Sequence, residues 1–332
     1  MAQTAAGSTP PATTTTATPR ATTTPRVGPL TVAAMAVTVV LWASAFVGIR
    51  AAGHDFDAGP LTLGRVAVGT LALTVILGVA RARRRAPVRL PRGRVLLLVV
   101  VWGVAWFGGY NLALNAAEQH LDAGTTALLV NIAPMLVAVL AGLLLGEGFP
   151  RRLLVGMAVA FTGVVIIAVA TSAGRFDAVG VVLGLASAAL YAGAATLQKR
   201  LLPHADALTM TWLGCLAGTV AALPFLPGLV TQLAAAPTSS VLGVVYLGVF
   251  PTAIAFSTWG YVLSRTSAGR TAASTYAVPP LVVLMSWALL DEVPTAIVLV
   301  GGALALTGVA VATLPRRSRP VRTMSRSSGP RF

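Results

Sequence analysis

Apolar residues in this chain occur in long runs separated by short polar clusters. Most runs have about 20 residues or more, the length that an α-helix needs to cross a bilayer core about 30 Å thick. The limits of ten runs are approximately 31–52, 60–80, 94–116, 122–145, 152–171, 178–200, 206–228, 239–262, 268–290 and 295–314. Because hydrocarbon satisfies no backbone hydrogen bond, we expect all ten to cross as helices.

The hydrophobic pattern also contains a duplication. Residues 123–168 align without a gap on residues 268–313, and 18 of the 46 aligned positions are identical. Apolar composition alone would match Leu and Val, but it would not place Pro134 on Pro279, Glu147 on Glu292 and Gly163 on Gly308 in one register. The chain therefore consists of two similar halves.

Each half contains five helices, and five is odd, so the second half is inverted relative to the first. The predicted fold is an all-α membrane protein of ten transmembrane helices in two inverted five-helix repeats. We predict a Thr- and Pro-rich disordered tail over 1–30, a first repeat over 31–172, a second repeat over 173–314 and an Arg-rich tail over 315–332. Inverted repeats of this kind are typical of secondary transporters, with the substrate site near the midplane between the halves.

Composition supports a membrane protein and argues against other classes. Of the 332 residues, 56% are apolar and 10% are charged, and a soluble domain carries far more charge. The net charge of +15 comes from basic residues in short loops, so we expect no nucleic-acid partner. Lys199 is the single lysine and lacks a surrounding glycine pattern, so no phosphate-binding loop for ATP is present. The three histidines are isolated, and we expect no metal and no cofactor.

Positive charges predict the orientation. With both termini in the cytoplasm, 21 of the 24 Lys and Arg residues lie in cytoplasmic loops and tails. The exceptions are Arg175, Arg50 at a helix end and Arg65 within the second helix. We therefore expect a multi-pass protein of the cytoplasmic membrane.

Two stretches resemble a known family. The runs "LDAGTTALLVNIAPMLVAVLAGLLLGEGFPRRLLVGMAVAFTGVVII" (121–167) and "SAGRTAASTYAVPPLVVLMSWALLDEVPTAIVLVGGALALTGVAV" (267–311) resemble the two copies found in EamA-type carriers of the drug/metabolite transporter superfamily. The resemblance covers residues 31–314 approximately. It implies a carrier that exports amino acids or other small metabolites, with a cavity lined by helices 1, 3, 4, 6, 8 and 9.

Three prolines are candidates for helix kinks or gating. Pro134 and Pro279 lie near the middle of matching helices, and Pro280 follows directly. Proline cannot donate to the carbonyl four residues earlier, and a carbonyl freed at membrane depth needs protein, water or substrate as its partner. The alternative is a static kink that neighbouring helices satisfy.

Polar and aromatic residues within the helices are candidates for substrate binding. Asn131 lies three residues before Pro134, on nearly the same helix face, and its repeat mate is Tyr276. Arg65, whose mate we predict to be Trp212, could contact a carboxylate or reach the outer interface. The remaining candidates are Asn111, Trp42, Tyr191 and Trp259. Each polar candidate has an alternative structural role in helix packing.

Glu118, near the outer end of helix 3, is a candidate for proton coupling, although a hydrated helix-end charge is the commoner role. For Glu147 and Glu292 we favour a structural role, in which each carboxylate complements the positive end of the helix that follows it.

These features predict a secondary transporter, not an enzyme, that exports or exchanges a small polar or amphipathic metabolite by alternating access. One alternative is a membrane-embedded enzyme acting on a polyprenyl phosphate, which would need a cluster of His and Asp. A channel or membrane-bound regulator is another. Substrate identity, transport direction, coupling ion and oligomeric state stay open at this level.

Overall fold

The computed structural model describes residues 28–85, 87–88, 90–121, 126, 129–171, 177–290 and 295–313. Residues 1–27 of the predicted N-terminal tail, the predicted C-terminal tail, Glu292 and most of the first turns of helix 4 lie outside the described residues. Residues 29 and 30, predicted as tail, are the first two of α1. The described helices are α1 Pro29–Ala52, α2 Ala58–Arg84, α3 Gly93–His120, α4 Ala133–Leu144, α5 Arg151–Thr171, α6 Ala178–Leu201, α7 Ala207–Ala235, α8 Thr238–Arg265, α9 at 268–290 and α10 Ala296–Thr313. Seven spans in the described part are long and apolar enough to cross a membrane by length and composition.

Helices α5 and α10 demonstrate the inversion of the repeats. Gly156 approaches Gly308, and Gly163 approaches Gly301, so closely that a Cβ atom on any of the four would lie within 3 Å of the opposite backbone. The start of α5 thus meets the end of α10, and the helices are antiparallel. Because 156 matches 301 and 163 matches 308 in the duplication, this contact has twofold symmetry. The prediction of two inverted repeats is confirmed.

Two further contacts lie on the same pseudo-twofold axis. α1 and α6 both have 24 residues, and Asp57 and Asp206 occupy the N-caps of α2 and α7. In both cases the residue in the second repeat has a number 149 higher than its equivalent in the first. The same difference makes Thr219 the equivalent of Thr70, and Tyr191 the equivalent of Trp42. The hydroxyls of Thr70 and Thr219 are 2.9 Å apart. The ring centroids of Trp42 and Tyr191 are 6.4 Å apart. A residue that touches its own mate lies at the axis.

The two faces of the helix bundle are each held by polar contacts. On one face, named here the Glu118 face, Asp57 Oδ2 accepts a hydrogen bond of 2.6 Å from Gln232. On the opposite face, named here the Lys199 face, Arg81 forms an ion pair with Asp206. α1 runs from the Lys199 face to the Glu118 face, and its repeat mate α6 runs in the reverse direction.

The third helix of each repeat contains a π-helical segment. These segments are Val104–Tyr110 in α3 and Gly248–Ile254 in α8, so the feature recurs at nearly the same place in both halves. π-turns often occur at functional sites, because the extra residue re-aims the side chains that follow. The even apolar pattern of these helices did not predict the segments.

The three prolines stand at helix starts. Pro134 is the second residue of α4 and follows a turn at Asn131 and Ile132. Pro279 and Pro280 open the last part of α9, Val278–Leu290, after a short 3₁₀ turn at Ser274–Ala277. Proline is tolerated in the first turn of a helix, where its missing N–H has no partner to lose. The sequence-based expectation of a kink within a continuous helix is corrected to an interruption of the helix in both repeats.

Candidate functional site

A cavity lies at the pseudo-twofold axis between the repeats. The space between its atoms, its open mouth included, is about 660 Å³. Its described wall comes from α1, α2, α3, α4, α6, α8 and α9, together with the turn before α4. The lining residues are Trp42, Ala45, Phe46, Ile49, Arg65, Trp106, Tyr110, Asn111, Leu114, Val130, Asn131, Pro134, Tyr191, Phe256, Thr275 and Val278.

Arg65 provides a buried positive charge in this wall. Its side chain belongs to a residue only 4% exposed, and its Nε donates a 3.4 Å hydrogen bond to Thr252 Oγ1. Thr252 itself donates to the carbonyl of Leu247 across the π-helical segment of α8. Within the described chain, no carboxylate forms a salt bridge with Arg65, and the described cavity wall contains no acidic side chain.

This charge is present in one repeat only. The N-cap register aligns Arg65 with Gly214, so the earlier alignment with Trp212 was wrong by two residues. The helix contacts support the corrected register. Gly248 packs against the backbone of Arg65, and its repeat mate Gly103 packs against the backbone of Gly214. The helix backbones around the cavity therefore follow the twofold symmetry of the repeats, but the positive charge of Arg65 has no equivalent in the second repeat.

Aromatic rings form the opposite part of the wall. Trp42 contacts Phe256 with centroids 5.3 Å apart, and Trp106 contacts Tyr191 at 5.5 Å. Most of these pairs meet edge to face, an arrangement that the ring quadrupoles favour. The hydroxyl of Tyr191 is buried and lies near Thr275, which also lines the cavity. Trp42 and Tyr191 both line the cavity.

The two asparagines on the wall differ in their surroundings. Asn111 donates through Nδ2 to the carbonyls of Trp106 at 3.2 Å and Phe107 at 3.0 Å. These carbonyls belong to the π-helical segment, so Asn111 supports the bulge as well as facing the cavity. Asn131 lies in the turn before α4, next to Pro134, at the interruption of the helix.

Two predicted site residues lie behind the wall. Tyr276 is fully buried against Phe161, with ring centroids 6.3 Å apart, and its neighbour Thr275 lines the cavity in its place. Trp259 packs against Trp42 with ring centroids 5.0 Å apart and the ring planes tilted by 36°, and its Nε1 donates to Gln198 Oε1 at 2.9 Å. The geometry thus places Tyr276 and Trp259 in a supporting layer instead of the lining.

Several lining residues were not among the sequence-based candidates. Phe256, Thr275 and Val278 come from α8 and α9. The π-helical segment of α8 and the 3₁₀ turn of α9 set the directions of these side chains, and no sequence motif marks either one. Phe46 and Ile49 follow Trp42 on α1 by about one and two turns, so the helical period of α1 could have indicated them.

A second recess adjoins the cavity on the Glu118 face. Phe46 and Ile49 line both spaces. The recess also includes His54, Asn115 and Glu118, and the space between its atoms, open solvent included, is about 950 Å³. Glu118 is thus in the recess and not in the cavity proper. Arg65 interacts electrostatically with Glu118, which links the two spaces.

Helix ends on the Lys199 face are joined across the two repeats. Glu147 accepts hydrogen bonds from the backbone of Ala268 at 2.6 Å and Gly269 at 3.2 Å. Its carboxylate therefore caps the start of α9 in the other repeat, and not the following helix as the sequence suggested. Carboxylates are favourable at helix N-termini.

Comparison with known proteins agrees with this architecture. The model of the EamA-like transporter family matches residues 29–169 and 178–314. A "Probable terminal-alkyne amino-acid exporter" of Streptantibioticus cattleyicolor is 38% identical over 276 residues, which are 83% of this chain and 91% of that protein. A "Probable amino-acid metabolite efflux pump" of Escherichia coli is 26% identical over 82% of this chain and 90% of that protein.

A solved crystal structure also has this fold. It superimposes with a TM-score of 0.68 at 21% identity, covering 85% of this chain and 96% of the other. The inverted five-helix repeats, the cavity at their axis and the match of both halves to one family model lead to a single conclusion. This chain is a multi-pass membrane transporter of the EamA-like transporter family.

Proposed function

We propose that this transporter exports an amino acid or a related carboxylate with an apolar side chain. The observation that carries the proposal is the buried guanidinium of Arg65 in a wall whose described residues include no acidic side chain. Burying a charge costs several kcal/mol, and a substrate carboxylate that binds the guanidinium directly would offset that cost. The chemistry therefore favours anionic or zwitterionic substrates over cations.

The aromatic part of the cavity sets the second requirement. Trp42, Trp106, Tyr191 and Phe256 offer ring faces and edges, which pack well against an apolar or unsaturated side chain. The relative in Streptantibioticus cattleyicolor is named a "Probable terminal-alkyne amino-acid exporter", and a terminal-alkyne amino acid combines a carboxylate with an apolar group. The name and the cavity point to the same class of substrate.

In the proposed pose, the carboxylate binds Arg65 and the side chain lies against Trp42 and Tyr191. Asn111 and Asn131 provide polar atoms on the wall between these two regions. Exchange between the faces then requires the two repeats to move about the axis, with the interruptions at Pro134 and Pro279 as the points of bending.

Proteoliposome transport tests this function. Proteoliposomes that contain the purified protein are loaded with radiolabelled apolar amino acids. The rate of their efflux is compared with the rate for the corresponding primary amides, which lack the negative charge. We expect efflux of the acids only, loss of efflux in Arg65→Gln, and partial retention in Arg65→Lys, which keeps a positive charge. Equal transport of acids and amides would overturn the proposed substrate class.

The sidedness of the protein is part of this proposal. The distribution of Lys and Arg supports a cytoplasmic Lys199 face with both termini inside. Glu118 and the recess then face the outside. Labelling of single cysteines in the 85–93 loop with an impermeant reagent tests this: a cytoplasmic loop is protected in intact cells, and labelling there would reverse the orientation.

Glu118 is our candidate for coupling export to protons. It lies in the outer recess and interacts electrostatically with Arg65, so protonation would change the charge that a substrate carboxylate meets. Glu118→Gln, which holds the neutral form, should abolish the response of efflux to an imposed pH gradient while leaving efflux without a gradient within about threefold. An unchanged response to the gradient would exclude this role.

A further inference from the structure

A large recess lies on the Lys199 face, between the starts of α1 and α7 and the ends of α2, α6 and α8. The space between its atoms, open solvent included, is about 1360 Å³. Its lining combines aliphatic side chains with the ion pair of Arg81 and Asp206 and with Arg265. The twofold symmetry of the repeats indicates a role for this Lys199-face recess.

The Lys199-face recess is equivalent to the outer part of the recess on the Glu118 face. Residue numbers of equivalent positions differ by 149 between α1–α2 and α6–α7. Between α3 and α8 they differ by 145, as the helix C-caps Leu121 and Thr266 indicate. Four residues that line the Glu118-face recess therefore have equivalents in the lining of the Lys199-face recess. The pairs are Gly53 with Leu202, Phe56 with Ala205, Ala58 with Ala207 and Gln119 with Ser264.

The inner parts of the two routes differ. Phe46 and Ile49 line both the Glu118-face recess and the cavity, so these two spaces adjoin. Their equivalents are Ala195 and Gln198, which are buried and line neither the cavity nor the Lys199-face recess. These two spaces have no described lining residue in common. The route thus adjoins the cavity in one repeat and is filled by side chains in the other.

A thin partition of side chains separates the cavity from the Lys199-face recess. On α1, Ala34 lines the recess and Trp42 lines the cavity, about 12 Å further along the helix. Between them, Thr38 Oγ1 lies 2.7 Å from Thr258 Oγ1 of α8. Trp42 packs against Trp259, the next residue of α8, with ring centroids 5.0 Å apart. Contacts between α1 and α8 therefore form this side of the partition.

Gln198 extends the partition to α6. Its Oε1 accepts a hydrogen bond of 2.9 Å from Trp259 Nε1. Its Nε2 is buried and has no hydrogen-bond partner among the described residues. A buried amide group without a partner is unfavourable, and water entering a passage between α6 and α8 would remove that penalty. The closed partition therefore contains a polar group that opening would satisfy.

The charged groups of the Lys199-face recess favour an anion. Arg265 is exposed, its guanidinium carbon lies 3.7 Å from the ring centroid of Tyr261, and it donates to Ser264 Oγ at 3.0 Å. Within the described chain, Arg81 forms an ion pair with Asp206, and no carboxylate forms one with Arg265. One cation of the recess is thus available to a carboxylate, and positive groups in a concave surface attract anions from solution.

We propose that the Lys199-face recess is the second mouth of the substrate pathway and that it admits molecules bearing a carboxylate. The partition of Thr38, Trp42, Gln198, Thr258 and Trp259 is the barrier between this mouth and the cavity. When the repeats exchange their arrangements, the partition opens and the cavity communicates with the Lys199 face. The proposal rests on the proposed transport function, and it adds the route on this face and the side chains that close it.

Modification of a cysteine in the recess tests the mouth. Cys215 is the single cysteine, so Cys215→Ser with Ser257→Cys carries one thiol, on the recess wall. Vesicles with the Lys199 face outward are treated with a bulky, impermeant maleimide, and amino-acid uptake is compared before and after treatment. We expect uptake to fall to the level of protein-free vesicles, because the adduct occupies the route.

Arg151→Cys in the same background is the matched control. Arg151 is exposed at the start of α5, on the same face and outside the recess, so its modification should leave uptake unchanged. Equal uptake before and after modification at residue 257, or an equal fall after modification at residue 151, would overturn the mouth.

Accessibility of the cavity tests the partition. In Cys215→Ser with Ala45→Cys, the single thiol lies on the cavity wall. Adding Gln198→Ala removes the hydrogen bond to Trp259, so labelling of this thiol from the Lys199 face should rise about tenfold, as expected for the loss of one buried hydrogen bond. Thr196→Ala is the control, because it truncates a buried polar side chain of the same helix outside the partition. Equal labelling with the two substitutions would overturn the partition.

The concentration dependence of uptake tests the role of Arg265. Arg265→Gln should raise the amino-acid concentration for half-maximal uptake about threefold at low salt, with a smaller change in the maximal rate, and high salt should remove the difference because it screens exposed charges. Arg200→Gln removes a cation of the same face outside the recess, which donates to the Leu144 carbonyl at 2.7 Å. Changes of equal size in both variants would overturn the recruitment of carboxylates.

The outcomes separate the mouth from the proposed substrate class. Equal uptake of acids and primary amides, blocked by the adduct at residue 257, would overturn the substrate class and leave the mouth in place. Uptake of acids alone that the adduct leaves unchanged would overturn the mouth and leave the substrate class in place.

Discussion

The close crossing of α5 and α10 makes a quantitative prediction about stability. An alanine Cβ at Gly163 would lie 2.4 Å from the backbone nitrogen of Ala305 and 2.5 Å from the carbonyl oxygen of Gly301. Ordinary contacts begin near 3.4 Å, so the helices must separate by about 1 Å. Both obstructing atoms are backbone, and no side-chain rotation relieves the overlap. Overpacking of this kind typically costs about 1–3 kcal/mol, and we expect the upper half of that range.

The measurement is thermal unfolding of the purified protein in detergent. At about 2–4 °C per kcal/mol, Gly163→Ala should lower the midpoint by roughly 4–12 °C. Gly78 on α2 is the matched control, because a Cβ there meets nothing within 4 Å, and Gly78→Ala should be neutral or slightly stabilising. Gly308→Ala should resemble Gly163→Ala, since the two glycines are repeat mates. Equal midpoints for the variants at Gly163 and Gly78 would refute the antiparallel crossing.

Three further predictions concern single side chains. Tyr276→Phe should transport within about twofold of the parent and be no less stable, because its buried hydroxyl has no partner among the described residues; a large loss of efflux would return Tyr276 to the substrate site. Asn111→Ala should destabilise the protein by about 1–3 kcal/mol in thermal unfolding, because the carbonyls of Trp106 and Phe107 in the π-helical segment lose their side-chain donor. An unchanged midpoint would contradict a role of Asn111 in stabilising this segment. The hydrogen bond from His120 holds the pKa of the Asp177 carboxyl below its usual value. The stabilisation from this carboxylate is therefore present at neutral pH and is lost as the pH falls through the lowered pKa. In thermal unfolding, Asp177→Asn should differ from the parent at pH 6 and approach it as the pH is lowered, and a difference that grows at low pH would reverse the sign.

Sequence reasoning predicted the architecture because the duplication is visible in polar and glycine positions. Glycines at 156, 163, 301 and 308 align in register, and the same four form the α5–α10 crossing. The odd number of helices in each repeat then requires the inversion. The position of the cavity at the axis follows from that symmetry, and the paired residues Trp42 and Tyr191 both line it.

The duplication did not predict which side chains of α9 line the cavity. The prediction for Tyr276 assumed a regular helix of 3.6 residues per turn. The structure has a 3₁₀ turn at Ser274–Ala277, and its three residues per turn rotate the side chains differently. Thr275 therefore faces the cavity and Tyr276 faces Phe161. Such a local change of helix type depends on packing between the repeats, and the apolar pattern of α9 carries no sign of it.

The π-helical segments had the same effect on α3 and α8. The extra residue in each turn brings Trp106 and Phe256 to the wall and leaves Trp259 behind it. Glu147 shows a further limit of local reasoning. The sequence indicated a cap for the helix that follows it, but the carboxylate reaches α9 of the other repeat, 121 residues away. Such contacts between the two repeats depend on how the repeats pack in the folded protein, so the neighbouring sequence does not reveal them.

A binding cycle tests most directly whether Arg65 recognises the substrate carboxylate. Affinities for one transported amino acid and for its primary amide are measured by calorimetry on the parent protein and on Arg65→Gln. A charge-assisted contact of about 1.5–3 kcal/mol predicts that the acid binds the parent about 10- to 100-fold more tightly than the amide does, and that this preference disappears in Arg65→Gln. A preference of equal size in both proteins would contradict the role assigned to Arg65.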